Sequence, residues 1–148
     1  MRPLDLTIAI PARNDERNLE QFFSAIGRRV WLYNFAPIRI GTNTVVSQDS
    51  VLCTSSHDYT HPHLPLYSRE IIVGDEAWIA ANCFVMPGIT VGSGAVVGAC
   101  SVVTKSIPPW MVCAGNPCRP LKPLRLRRHK PQAGFRKLRQ HQSQSNNR

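Results

Sequence analysis

An aliphatic residue recurs at every sixth position through the middle of the chain, and this period limits the possible folds more than any other feature. The repeat positions are Val73, Ile79, Val85, Val91, Val97 and Val103, with the same phase earlier at Ile40, Val46 and Leu52. A six-residue unit is too short for a helix pair, and the many Gly, Pro and β-branched residues disfavour one long helix. The period instead matches a short β-strand followed by a turn.

Three such units close a triangular coil, and stacked coils pair through their backbones. Stacking aligns the aliphatics in interior columns, with these expected neighbours: Val73 and Val91, Ile79 and Val97, Val85 and Val103. Four positions after each aliphatic stands a residue that is nearly always small: Thr44, Ser50, Ala77, Cys83, Ile89, Ala95 or Ser101. Glycine directly follows several of the aliphatics. We expect the glycines and small residues at the corners, where the chain turns sharply and space is narrow.

One interval of the repeat is longer than the others. Leu52 and Val73 are 21 positions apart, so about fifteen residues, from Ser55 to Arg69, are expected to leave the coil as a loop. This insertion contains His57, Asp58, Tyr59, His61, His63 and Tyr67. Histidine exchanges protons near neutral pH, so the loop is the candidate for catalytic chemistry. His61 and His63 flank Pro62 and are expected to shape the loop.

Charge divides the chain into two parts. Residues 1–118 carry eight Lys/Arg and nine Asp/Glu, whereas residues 119–148 carry ten Lys/Arg and no acid. The basic tail is poor in apolar residues, which predicts disorder over 123–148 and leaves a solvated extension or an RNA-attracting segment as alternatives. Five cysteines without a C-x-x-C pair indicate reduced thiols, and neither a signal peptide nor a membrane span is recognisable, so a cytoplasmic protein is expected.

The repeats resemble a known family. The segments IGTNTV and VSQDSV at 40–51, and VGDEAW, IAANCF, VMPGIT, VGSGAV, VGACSV and VTKSIP at 73–108, are similar to the hexapeptide-repeat acyltransferases, of the colanic acid biosynthesis type related to maltose and galactoside O-acetyltransferases. The resemblance implies an all-β, left-handed parallel β-helix that forms a homotrimer. It also implies acetyl transfer from acetyl-CoA to a sugar hydroxyl in exopolysaccharide biosynthesis, without a metal.

The resemblance further suggests roles for single residues on the acceptor side. His57, in CTSSHDY, occupies the position of the general base. Asp58 is a candidate to bind the acceptor, and its place in the loop leaves open whether it orients an imidazole or caps a turn. Asn34 corresponds to an acceptor-binding asparagine. Trp78 corresponds to a tryptophan lining the acceptor and pantetheine channel, with a packed outer face of the coil as the alternative.

Further residues match the coenzyme side of the family's site. Backbone amides near Ala80 and Ala81 are the expected oxyanion donors. Ala99, Thr104 and Lys105 resemble the CoA-binding face. The segment GNPCRPLK at 115–122 resembles the closing signature of the family, in which Arg119 is available to the CoA phosphates.

The first residues follow a different pattern. A strand is predicted from Leu6 to Ile10, followed by a helix that begins near Asn14 and carries its apolar face to Ile26. This βα segment resembles the opening of family-two glycosyltransferases, without the rest of that fold. We therefore expect a fragment at 1–29, the β-helix at 30–122 and the tail at 123–148, with a fusion or truncation near Gly27.

Three alternatives to an active acetyltransferase remain. A β-helix impaired by the unusual N-terminal segment would act as a CoA-binding or scaffold protein. A site like that of γ-class carbonic anhydrases is disfavoured because His57, His61 and His63 share one loop instead of lying on separate coils. A tail-driven RNA binder would show strong salt dependence.

Overall fold

The described parts of the chain form a stack of β-coils. The computed structural model describes the backbone of residues 6–8 and the full residues 25–126, within which there are sixteen strands and no helix. The first sheet contains β1 (Leu6–Ile8), β4 (Ile38–Ile40), β9 (Ile71–Val73) and β12 (Thr90–Val91). The second contains β2 (Ala25–Ile26), β5 (Val45–Val46), β10 (Trp78–Ile79), β13 (Val96–Val97), β15 (Met111–Ala114) and β16 (Arg119–Pro123). The third contains β3 (Trp31–Tyr33), β6 (Val51–Cys53), β11 (Phe84–Val85) and β14 (Val102–Val103). A separate hairpin pairs β7 (Ser55–His57) with β8 (Leu66–Ser68).

The register of the sheets confirms the predicted columns. Each coil visits the three sheets in turn, and the strands stacked in each sheet run parallel, apart from β16. The predicted neighbours pair as expected: Val73 with Val91, Ile79 with Val97, and Val85 with Val103. All nine aliphatics of the repeat are at most 1% exposed. The interior of the prism is therefore the hydrophobic core, and the aliphatic period is its sequence signature.

The small residues of the repeat are buried beside these columns, and the polar ones bond to neighbouring carbonyls. Thr44 Oγ1 donates to the Gly74 carbonyl at 2.7 Å, and Ser50 Oγ donates to the Ala80 carbonyl at 3.0 Å. Ser101 Oγ donates to the carbonyl of Gly98 at 2.5 Å. These bonds satisfy hydroxyl groups that would otherwise be buried at a cost. Cys83, Cys113 and Cys118 are buried free thiols, and burial raises the pKa of each.

The corners differ from the expectation in one respect. Positive φ falls one position before each small residue of the repeat, at Asn43, Asp49, Glu76, Asn82, Gly88, Gly94 and Cys100. Among the glycines that follow the aliphatics, Gly92 illustrates another requirement. A Cβ on Gly92 would lie 2.4 Å from the backbone nitrogen of Pro109 in the next coil. That glycine permits close approach between coils, while a different residue makes the turn.

The N-terminal segment contributes to the stack. β1 pairs in parallel with β4, β2 with β5, and β3 with β6, so Ile8, Ile26 and Leu32 align with Ile40, Val46 and Leu52. The predicted strand is found over Leu6–Ile8, whereas the predicted helix lies in residues outside the described ranges, apart from its final residues, Ala25 and Ile26, which form β2. The six-residue spacing from Ile26 to Leu32 was the signal for this earlier coil. The predicted domain boundary at residue 29 stays a prediction. β2, which precedes that boundary, pairs with β5 in the second sheet of the stack.

The other end of the stack is closed by a reversal of the chain. β16 runs antiparallel to β15, with Ala114 opposite Arg119. This strand covers the backbone edge of β15 that another coil would otherwise pair with. The segment that resembles the closing signature therefore supplies a cap. The predicted disorder over 123–148 is wrong at its first residues, because Pro123 ends β16 and Leu124 N–H donates to the Trp110 carbonyl at 2.7 Å. The tail from residue 127 onward lies outside the described residues.

Candidate active site

The insertion forms an antiparallel hairpin that starts and ends at one point of the coil. Thr54 N–H donates to the Tyr33 carbonyl at 2.9 Å, and Arg69 N–H donates to the Thr54 carbonyl at 2.8 Å. The hydroxyls of Ser55 and Ser68 lie 2.8 Å apart across the hairpin. The predicted limits of the insertion are confirmed, with two short strands where a loop was expected.

His57 ends the first strand of the hairpin, and its imidazole is oriented by the backbone. Its Nδ1 lies 2.6 Å from the carbonyl oxygen of Leu64, a residue with a φ of 46°. Because a carbonyl oxygen only accepts hydrogen bonds, Nδ1 carries the proton and donates it to Leu64. The lone pair of a neutral imidazole is then on Nε2. His57 is exposed, so Nε2 can meet a hydroxyl group that enters from solvent.

Asp58 caps the turn that follows, which decides between its two expected roles. Its Oδ1 accepts bonds from Thr60 N–H at 2.9 Å and from Thr60 Oγ1 at 2.6 Å. These hydrogen bonds lower the pKa of the Asp58 carboxyl. The imidazole of His57 is held by the carbonyl of Leu64 instead. His61 and His63 shape the turn, since His63 N–H donates to His61 Nδ1 at 3.2 Å.

A cleft of about 450 Å³ opens on the hairpin. It is lined by His57, Asp58, Tyr59, Thr60, Pro65, Leu66, Tyr67 and Arg69. The guanidinium of Arg69 lies 5.4 Å from the ring centroid of Tyr67. From the sequence, Arg69 was predicted only to end the insertion. Its position two residues after Tyr67 was the available signal that it belongs to the site. The cleft thus combines an imidazole, a carboxylate, a guanidinium and aromatic rings.

The edge between the third and first sheets brings several predicted residues into one line. Leu32, Leu52, Val85 and Val103 are in register, so the residues two positions later stack at this edge: Asn34, Thr54, Pro87 and Lys105. Strands of neighbouring coils are spaced by about 4.8 Å, which places Lys105 roughly 10 Å along the edge from the start of the hairpin. The structure therefore aligns Asn34, the hairpin with His57 and Asp58, and the exposed Thr104 and Lys105.

A second cleft, of about 320 Å³, lies at the C-terminal end of this edge. Lys105 and Arg119 both line it, together with Ser106, Ile107, Pro108, Cys113, Cys118 and Pro120. Residues 14 positions apart in sequence thus share one cleft because β16 folds back beside the last coil. Two cations on the rim of a cleft form a site suited to phosphate groups.

The remaining predicted residues lie away from this edge. Trp78 is 48% exposed on the outer face of the second sheet, where its Nε1 donates to Ser47 Oγ at 3.0 Å. Ala80, Ala81 and Ala99 lie at the corners between the second and third sheets. In a triangular prism the second sheet faces away from the edge that carries His57. Within one copy of the chain, His57 and Trp78 therefore lie on different sides of the prism.

The prediction that the amide of Ala80 is an oxyanion donor is wrong. The amide of Ala80 donates to the carbonyl of Val97 in the next coil at 2.9 Å, and Ala80 is only 7% exposed. This bond belongs to the ladder between coils, so the amide cannot also point at an oxyanion. The half-buried Ala81 makes no such ladder bond through its amide within the described residues, where its carbonyl accepts from Cys100 N–H at 2.9 Å.

In the described ranges, 6–8 and 25–126, no group of three or more His, Cys, Asp or Glu side chains is arranged to hold a metal ion. No helix long and apolar enough to cross a bilayer is found in that same part of the chain.

Comparisons with known proteins agree with the fold. Residues 70–105 match the family model described as bacterial transferase hexapeptide (six repeats). Over 95 residues the chain is 45% identical to WcaF of Escherichia coli (strain K12), which carries a provisional name as a colanic acid biosynthesis acetyltransferase; the match covers 64% of this chain and 52% of WcaF. It is 36% identical over 88 residues to the galactoside O-acetyltransferase of the same organism, covering 57% of this chain and 43% of that one.

A solved structure extends the similarity to three dimensions. A galactoside acetyltransferase in complex with coenzyme A superposes with a TM-score of 0.60 at 31% identity, over 69% of this chain and 56% of that one. The repeat region is therefore a left-handed parallel β-helix of hexapeptide repeats, and the expected relation to the hexapeptide-repeat acyltransferases is confirmed. The chain spans about half the length of the curated relatives it matches.

Proposed function

We propose that this chain is an acetyl-CoA-dependent O-acetyltransferase that acetylates a sugar hydroxyl, with His57 as the general base. The observation that carries the proposal is the 2.6 Å contact between His57 Nδ1 and the Leu64 carbonyl, which in a neutral imidazole assigns the proton to Nδ1 and the lone pair to Nε2, on a residue that lines a cleft. The relation to a colanic acid biosynthesis acetyltransferase and to galactoside acetyltransferases supports this reaction class. Exopolysaccharide biosynthesis of the colanic acid type is the proposed setting.

In the proposed reaction His57 Nε2 accepts the proton of the acceptor hydroxyl while the oxygen attacks the thioester carbonyl of acetyl-CoA. The C–O bond forms, the C–S bond breaks through a tetrahedral oxyanion, and the proton passes from the imidazolium to the departing thiolate. The amide of Ala81 is the remaining oxyanion donor of the expected pair, and because it lies away from the His57 edge it acts from a different copy than the one that supplies His57. Alignment of both substrates along one prism edge supplies further rate acceleration.

Binding roles follow from position along that edge. Asn34 binds acceptor hydroxyls at the hairpin through its side-chain amide, and the Asp58 carboxylate accepts a hydrogen bond from an acceptor hydroxyl. Lys105 and Arg119, which share the second cleft, bind the phosphates of acetyl-CoA. Ala99 and Thr104, exposed at two corners, contact the pantetheine arm.

The separation of His57 from Trp78 supports a site between subunits of a homotrimer. Two faces of the prism present apolar outer columns in register: Val45, Trp78, Val96 and Val112 on the second sheet, and Val51, Phe84 and Val102 on the third. The first sheet instead presents Arg39, Ile72 and Thr90. Two different apolar faces suit a closed ring in which one face of each copy meets the other face of the next. Such a ring places Trp78 of one copy beside the His57 edge of its neighbour.

The experiment is release of free thiol from acetyl-CoA by the purified chain, with a panel of free sugars and nucleotide sugars. We expect release that depends on the acceptor and falls by about 10²- to 10⁴-fold in His57→Ala. His63→Ala, in the same turn, is the matched control and should retain most of the activity. Binding of CoA without any transfer would instead support the impaired β-helix, and activity retained in His57→Ala would exclude His57 as the base.

A further inference from the structure

We infer that Arg69 binds an anionic group on the acceptor, so that the substrate of this site is a sugar bearing a phosphate or a carboxylate. The inference rests on the proposed function, because it concerns the acceptor cleft of the same reaction. It begins with the position of Arg69, whose side chain lines the cleft that also contains His57 and Asp58.

The Arg69 side chain is held in place from two directions. Its methylene groups pack over Gly88: a Cβ on that glycine would lie 3.1 Å from Arg69 Cδ and 3.3 Å from Arg69 Cβ. Its guanidinium lies 5.4 Å from the Tyr67 ring centroid, within cation–π range. A cation whose stem and head are both supported loses less conformational freedom when it binds a ligand.

The charge of Arg69 is not matched by a carboxylate within the described ranges. The ion pairs found there join Arg29 to Asp49, and Arg39 to Glu70 at 3.5 Å. Glu70, the sequence neighbour of Arg69, is therefore directed to another arginine. Asp58 faces the same cleft, but its Oδ1 is occupied by two bonds from Thr60, and it makes no ion pair with Arg69. A guanidinium in this state is suited to two parallel bonds with a phosphate or carboxylate.

The distance between Arg69 and His57 fits a sugar that carries such a group. His57 pairs with Leu66 across the hairpin, and Arg69 follows Leu66 by three residues, which is roughly 10 Å of extended strand. Both residues line the same cleft, and a backbone spacing of this order is compatible with one hexose and its anionic substituent between them. The sugar hydroxyl then meets His57 Nε2 while its anionic substituent meets Arg69, and Asp58 accepts a bond from another hydroxyl.

The test measures binding in the absence of acetyl-CoA, so that it does not depend on catalysis. Isothermal titration calorimetry of the full chain uses glucose, galactose, their 1-phosphates, glucuronate and inorganic phosphate as probes. We expect at least one class of anionic sugar to bind about tenfold or more tightly than its neutral parent, with a preference that weakens as salt is added. A gain for the 1-phosphates identifies a phosphate group, and a gain for glucuronate identifies a carboxylate.

Variants connect the preference to Arg69. Arg69→Gln should abolish it and Arg69→Lys should retain part of it, whereas Arg28→Gln, at an exposed arginine between β2 and β3, should leave it intact; thermal melts verify that each variant folds. Equal binding of neutral and anionic sugars, binding of none of the probes, or a preference that survives Arg69→Gln would overturn the inference. Inorganic phosphate binding as tightly as the sugar phosphates would overturn it too. An Arg69-dependent preference without acetyl transfer would refute the proposed function and leave this inference standing.

Discussion

The coils between Ile71 and Ile107 and the hairpin between Thr54 and Arg69 use their side chains in different ways. In the coils every repeat aliphatic is at most 1% exposed, while residues 59–70 of the hairpin are all exposed. The coils place their apolar side chains inside and are stabilised by burial. The hairpin buries little, and its ends are fixed by backbone bonds to Tyr33 and Thr54. The coils thus serve as the support, and the proposed chemistry lies in the part that contributes least to the core.

Excision of the hairpin is the most severe test of this division. Ser56 and Tyr67 pair across the hairpin, so a two-residue Asn-Gly turn can replace residues 57–66. We expect no acceptor-dependent thiol release, because His57, the proposed base, and most of the cleft are gone. The free energy of unfolding should change by less than about 2 kcal/mol, because little apolar surface is lost. Denaturant unfolding and the thiol assay measure both. An unfolded product would mean that the coils depend on the hairpin.

Substitution inside a coil should have the opposite effect. Ile79→Ala empties a fully buried position of the second sheet, and we expect a loss of about 2–5 kcal/mol in the free energy of unfolding. Val45→Ala is the control, because Val45 lies on the outer face of the same sheet and is 37% exposed. Its loss should be clearly smaller in urea unfolding of both variants. Equal losses would argue against a core confined to the interior of the prism.

Gly88→Ala tests the contact between the two regions. Gly88 has a φ of 77° and packs against Arg69, so alanine should cost about 1–2 kcal/mol from its left-handed backbone and displace the Arg69 stem. Gly88→Asn is the control, because asparagine tolerates this conformation better than alanine. We expect chemical denaturation to show a smaller loss for asparagine than for alanine. The reverse order would show that side-chain volume, and not backbone conformation, limits this corner.

The smallest expected effect concerns a single proton in the hairpin. Thr60→Val removes the hydroxyl that donates to Asp58, so the pKa of the Asp58 carboxyl should rise part of the way towards its ordinary value. Because the pKa of Asp58 is lower in the folded than in the unfolded state, its ionised carboxylate stabilises the fold at a pH above the unfolded pKa. This stabilisation is lost as the pH falls through the pKa of the folded state. Carbonyl-detected NMR titration of Asp58 measures the shift, with Thr60→Ser as the control. An unchanged pKa in Thr60→Val would show that the backbone bond from Thr60 alone sets it.

The sequence predicted the coils more fully than it predicted the site. Residues such as Val73, Val91 and Val97 repeat the same environment many times, so their period alone predicted their pairing. The positive φ angles one position before each small residue were not predicted, because residue types such as Glu76 and Cys100 are not typical of the left-handed backbone conformation. For the site, the insertion and His57 were recognised from spacing and resemblance. The Ala80 amide was wrongly predicted to be free for an oxyanion, because it donates to the carbonyl of Val97 in the next coil.

By itself the sequence determined the stacking of the coils, the register of their aliphatic columns and the place where the hairpin leaves them, because a local repeat produces contacts between neighbours at fixed spacing. Only the tertiary structure decided which nitrogen of His57 bears the proton, that Asp58 caps a turn, and that Lys105 shares a cleft with Arg119. These features depend on single contacts between residues without periodic relation, such as His57 with the Leu64 carbonyl. A repeat determines which residues are neighbours along the prism, whereas the candidate site depends on how non-repeating segments, such as the hairpin and β16, fold back onto the coils.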